Sequence, residues 1–166
     1  RGYVHSTAGV FIARSDSLLF PYTGFSGVAP DGTRGMYHGG SIGIATLRRD
    51  GFASMDAGEE GGTLLTRPLT FTGNRLFANV NCAHGMLRSE LLDRDGRVIK
   101  PFSMANSRPV TTDATKVELT WNGANDLRTV ATTPVRIRFE LTTGSLYSFW
   151  TSSGEDGQSR SEEHTS

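Results

Sequence analysis

The chain of 166 residues offers few side chains that could do chemistry. Glu59 and Glu60 are adjacent carboxylates, but neighbours in sequence point apart rather than converging on one substrate. Their glycine-rich surroundings also promise no burial to raise a carboxyl pKa for acid–base work. His5, His38 and His84 lie far apart and lack the close spacing of a strong zinc motif, so no metal site is expected, and no cofactor. Cys82 follows Val80 at the two-residue spacing of an inward strand position, where a thiol behaves as a small hydrophobe. Ser26 has glycine neighbours, but the run Gly24-Phe25-Ser26-Gly27-Val28 puts valine where a nucleophile elbow needs its second glycine. Phosphate-cradling loops of the Walker or dinucleotide kind do not occur. No catalytic residue is therefore assigned.

The most site-like stretch is "PYTGFSGVAPDGTRGMYHGG" at 21–40. Tyr22, Tyr37 and His38 could present flat rings and hydrogen-bonding groups to sugar hydroxyls from a glycine-rich loop. The competing reading makes them surface aromatics capping a sheet. Trp121 and Trp150 fall in phase with apolar positions, which favours core packing.

These residues must be carried by strands. Glycine is plentiful, proline scarce and the apolar positions recur with period two, whereas helix signals are almost absent. In 135–141, Val135, Ile137, Phe139 and Leu141 point one way and Arg136, Arg138 and Glu140 the other. Val117, Leu119 and Trp121 repeat the pattern, as do Leu76, Ala78, Val80 and Cys82 opposite Asn79 and Asn81. Three half-buried strands imply a sandwich. Asp95-Gly96 and Asn122-Gly123 supply turn chemistry between them. The strand "SLYSFWT" at 145–151 carries aromatics on both faces and reads as buried on one side and covered on the other.

The first sixty residues read as four strands in series. A hairpin turns at Ser15-Asp16, a loop follows, and a second hairpin turns at Asp50-Gly51. Four strands of meander are one propeller blade's worth, and a blade cannot bury both faces alone. "MDAGEEGGT" at 55–63 reads as the junction between this blade and the sandwich.

Composition bounds the partners. Seventeen Lys and Arg balance seventeen Asp and Glu, with no basic block, so nothing favours nucleic acid. No run of about 18 apolar residues is present to span a membrane as a helix. One cysteine excludes an intrachain disulfide but leaves the compartment unknown, and an extracytoplasmic parent fits. The chain opens at Arg1 without methionine or a signal-peptide pattern, so an internal fragment is expected. Its last residues, "RSEEHTS" at 160–166, resemble the translation of a widely used short-read sequencing adapter. On that reading Glu162, Glu163 and His164 belong to no site, and the catalytic acids lie upstream of Arg1.

"IGIATLRRDGFASMDAGEEGGTLLTRPLTFTGNRLFANVNC" resembles the junction between the last blade and the C-terminal β-sandwich of five-bladed propeller glycoside hydrolases. The relatives are the invertase, fructanase and arabinanase-like group, especially its bacterial members. "LRSELLDRDGRVIKPFSM", "VELTWNGANDL" and "VRIRFELTTGSLYSFW" are similar to that sandwich. The resemblance runs from about Gly9 to Thr151 and rests on structural motifs. It implies a parent that cleaves glycosidic bonds with a protonated carboxyl and a second carboxylate in earlier blades. It also implies that the loop bearing Tyr22, Tyr37 and His38 lies near the substrate opening. Arg49-Asp50-Gly51 lacks the proline of the group's Arg-Asp-Pro motif and sits in a late hairpin, so no catalytic role transfers. Arg48 and Asp50 are instead expected at a domain interface.

The expected fold is all-β: an antiparallel sandwich at 58–154, preceded at 1–57 by a four-stranded meander resembling one blade and followed by a disordered tail at 155–166. The expected function is that of a non-catalytic C-terminal fragment of a carbohydrate-active hydrolase, its partners being the carbohydrate and the upstream blades of the same chain. The alternative is an accessory carbohydrate-binding module.

Overall fold

A computed structural model of the protein describes residues 2–6, 12–14, 16–124 and 126–158. Ser15 of the first expected turn and the adapter-like stretch 160–166 lie outside the described residues. Every regular element among those described is a β-strand, and the strands pair antiparallel throughout. The chain divides into two compact units, Arg1–Phe52 and Ala53–Ser166.

The first unit is one sheet of β1 (Tyr3–Ser6), β2 (Ile12–Arg14), β3 (Ser17–Phe25) and β4 (Gly40–Arg48). β3 is its spine. One edge of β3 pairs with β4 along its whole length, while the other pairs with β1 through Tyr22–Phe25 and with β2 through Ser17–Leu19. The sheet therefore has four strands but is not a serial meander, since β1 and β2 share one edge. The hairpin expected around Asp50-Gly51 also does not form. The chain does turn there, with Asp50 at φ 51° and Gly51 N donating to Arg48 O at 3.0 Å. The next strand, β5 (Met55–Ala57), pairs with the second unit's last strand instead. Ala57 packs on the core of that unit, and Phe52 to Ser54 break the ladder before it.

The second unit is an antiparallel sandwich. One sheet holds β6 (Gly62–Leu65), β10 (Arg136–Thr142) and β8 (Met86–Leu92) in the order β6-β10-β8. The other holds β5, β11 (Gly144–Ser152), β7 (Arg75–Asn81) and β9 (Asp113–Leu119) in the order β5-β11-β7-β9. The turn Gly58-Glu59-Glu60-Gly61, closed by Gly61 N donating to Gly58 O at 3.0 Å, carries the chain from one sheet to the other. The stretch 55–63 is thus a crossing inside the sandwich rather than a junction between units, and both glutamates are exposed.

Period-two patterning fills the core as expected from β10 and β9, whereas β7, read as half-buried, is buried on both faces, with Phe77 and Asn79 covered as well. Ile137, Phe139 and Leu141 meet Leu76, Ala78, Val80, Leu119 and Trp121, with Leu87 and Leu91 from β8. Trp121 ties the layers by donating its Nε1–H to Ser89 O at 2.8 Å. The turn at Asp93 is as read: Asp93 Oδ1 accepts from Asp95 N and Arg97 N at 2.9 and 2.8 Å, and Leu92 bridges Val98. At one end the turn at 82–85 lies against the β10–β11 turn so closely that a Cβ on Gly85 would sit 1.8 Å from Thr142 O. Only glycine fits there.

The outer face of the β8/β10 sheet holds an ion pair with a buried carboxylate and a part-exposed guanidinium. Glu90, 3% exposed, accepts from Arg138 Nη2 and from Met104 N, the latter at 2.9 Å. Cys82 is buried as read, and its Sγ donates to Val110 O at 3.1 Å.

Candidate functional site

The structure separates the three residues read as sugar-contacting. Tyr22 lies on β3 opposite Gly43, its ring so close that a Cβ on Gly43 would meet it at 2.4 Å. The ring thereby covers a glycine that has no side chain of its own to pack. His38 sits in the β3–β4 loop with Nδ1 3.2 Å from Thr33 O and its ring against Gly35, a contact that organises the loop. Tyr37, 61% exposed, joins a group that the sequence reading missed. Its ring centroid lies 5.5 Å from Phe25, 5.8 Å from His5 and 6.1 Å from Tyr3. Tyr3 and His5 alternate on β1, and Tyr3 pairs with Phe25 in register, so one face carries all four rings. The visible signal was Tyr3-x-His5. Tyr22 and Phe25, three residues apart on one strand, face opposite ways. Tyr22 and Tyr37 therefore do not form one stacking surface.

Arg48 ends β4 opposite Ser17, and Asp50 occupies the turn that follows, both close to the end of the first unit. Among the described residues no group of three or more His, Cys, Asp or Glu is placed to hold a metal ion.

The second unit contains an open cleft of about 600 Å³. One wall is residues 70–73 and the other residues 150–154 with Asp156 and Gln158. Its local construction begins with an irregularity in β11. The register shifts between Leu146 and Ser148, so Leu146 points into the core while Trp150 pairs with Phe77 on the outer face. Strict alternation had placed Trp150 in the core, and the bulge reverses its phase. Trp150 stacks on Phe77 with centroids 5.9 Å apart and an interplanar angle of 18°. Its Nε1–H donates to Gly157 O at 2.9 Å.

That bond helps fold residues 153–158 back over the sheet. Glu118 and Glu155 both pair with Arg75, at 2.9 and 2.6 Å, and Glu118 foremost, with Glu155 adding to it, holds its guanidinium charged more firmly than usual. Lys116 Nζ donates to Asp156 O, and Gly157 is buried against the Phe77 ring. Residues 155–158, read as the start of a disordered tail, are instead anchored. Their contacts come from backbone carbonyls and one carboxylate, which apolar composition does not reveal. The opposite wall comes equally close. Asn74 N donates to Ser152 O at 3.0 Å, and a Cβ on Gly73 would lie 2.8 Å from Ser152 N. Ser152 Oγ accepts from Gly154 N at 3.2 Å, and Asp156 Oδ1 accepts from Gln158 N at 3.2 Å. The result is an indole beside hydroxyl, amide and carboxylate groups, held by hydrogen bonds on both walls. Comparison with protein-family models, with curated proteins and with solved structures gave no match.

Proposed function

We propose that this chain is the non-catalytic C-terminal part of a propeller-type, carbohydrate-active hydrolase. In this reading the first unit is its last blade and the second a sandwich that stabilises the propeller. The observation that carries the reading is the exposed apolar face of the first sheet. Ile42 and Ile44 on β4 are 84% and 63% exposed, on the face that also bears Phe25, Tyr3 and His5. Burying such a side chain is worth roughly 1.5–3 kcal/mol, so a sheet that leaves them in water suits a neighbour that covers them. A preceding blade of the same chain is that neighbour. The sandwich, by contrast, closes a core of its own.

The carboxylates that would cleave the glycosidic bond belong on this reading to earlier blades, because Glu59 and Glu60 stand exposed in a turn. On this reading Arg48 and Asp50, close to the end of the first unit, are proposed as domain-interface residues, and an extracytoplasmic setting is proposed for the parent. Extending the gene sequence upstream of the codon for Arg1 tests the reading. Four further blade-like segments with separated acidic motifs are expected, and an upstream frame without them would sink it.

A further inference from the structure

The cleft in the second unit has a lining whose chemistry selects a ligand. Among the described residues of the lining Asp156 is the only ionisable side chain, so these provide no cation to hold a phosphate or carboxylate. A single carboxylate is also too few for a metal ion, and the remaining groups are neutral oxygen and amide groups. An apolar ligand would strip water from Thr70, Thr72, Ser153 and Gln158 without replacing their hydrogen bonds, which is costly. A neutral polyol avoids all three penalties. Its hydroxyls both donate and accept, and its C–H face can rest on an aromatic side chain.

We propose that this cleft binds a neutral glycan. A sugar ring packs against Trp150, and its hydroxyls exchange hydrogen bonds with the Asp156 carboxylate, the Gln158 amide and the hydroxyls of Thr70, Thr72 and Ser153. Trp150 serves through its carbon surface, because its Nε1–H is already given to Gly157 O. The cleft's volume of about 600 Å³ falls within the roughly 300–1,000 Å³ of small-molecule sites. The site is preformed: Gly73 brings the walls together, and the Trp150, Lys116 and Arg75 contacts hold the 153–158 segment before any ligand arrives. This inference goes beyond the blade reading and does not depend on it, since every lining residue belongs to the sandwich.

The test titrates the full chain with a panel of neutral oligosaccharides and a matched panel of uronate-containing and sulfated ones, followed by tryptophan fluorescence and calorimetry. Trp121 is buried in the core, so a ligand-induced emission change reports Trp150. At least one neutral oligosaccharide should bind with a sub-millimolar Kd and shift the emission. Asp156→Asn should weaken it about tenfold with an unchanged Tm showing the fold intact, and Trp150→Phe should weaken it at least as far with a lowered Tm, because it also removes the hydrogen bond to Gly157 O. Arg97→Ala, in the exposed turn after β8, should leave binding unchanged. The proposal is overturned if no neutral member binds below about 1 mM, if acidic glycans bind more tightly, or if binding survives both cleft variants. Such outcomes would leave the blade reading standing, because that reading is decided by the upstream gene sequence.

Discussion

Cys82 shows how one buried group couples to pH. Burial pushes its thiol above the ordinary range, and backbone hydrogen bonding from Thr112 and Leu87 only partly offsets this. A thiol whose folded pKa is raised contributes stability in full below its unfolded value, about 8.5, and loses it as pH rises through the folded value. Denaturation midpoints from pH 7 to 10 should therefore fall more steeply for the native chain than for Cys82→Ala. A thiol reagent at pH 8 should label Cys82 only in denaturant. Asp56 has the opposite sign. Hydrogen bonds from Ser145 and then Ser54 hold its carboxyl below the usual range. Its contribution is present above its unfolded value, about 3.9, and is lost as pH falls through the folded one. Asp56→Asn should accordingly flatten the acid limb of the stability profile. Thr143 sits at φ 45° in the β10–β11 turn, an uncommon setting for a β-branched residue. Thr143→Asn should raise stability by about 0.5–1 kcal/mol, read from chemical denaturation. The inward position of Cys82 was legible from its spacing to Val80. The hydrogen bond from Ser145 to Asp56 was not, because it depends on β5 pairing with β11.

At the scale of elements, the strands of the sandwich follow from alternation wherever the register is regular. β10 is the clearest example, with Ile137, Phe139 and Leu141 buried and Glu140 exposed. Alternation fails at β11, where the irregularity between Leu146 and Ser148 turns Trp150 outward. No residue type there announces a bulge, so the cleft was illegible even though "TFTG" and "WTSSGEDGQ" already held its groups. Strand partners were also hard to read, since β5 has the composition of a short edge strand and could have extended either sheet. What selected its place is the packing of Ala57 and its register with Gly144. Close approach of turns gives the element-scale prediction. Gly85→Ala would drive a methyl into Thr142 O and should cost about 3 kcal/mol, lowering the denaturation midpoint. Arg138→Met should cost less, about 1–2 kcal/mol, because the guanidinium it removes is part-exposed and Met104 N still donates to the buried Glu90 carboxylate.

At the scale of the whole molecule, the two units differ in how completely they bury their strands. The sandwich has Leu76, Val80, Leu87, Leu91 and Val135 wholly inaccessible, whereas β4 in the first unit is largely exposed. The period-two patterning of both halves was equally visible in the sequence, but patterning does not say whether a face has a partner. Amide hydrogen exchange across the full chain, read by mass spectrometry under native conditions, tests this asymmetry directly. The account predicts slow exchange in 75–81, 86–92 and 136–142 and exchange in 40–48 faster by orders of magnitude. Protection of 40–48 equal to that of 136–142 would show the first sheet to be as complete as the sandwich and would contradict the account.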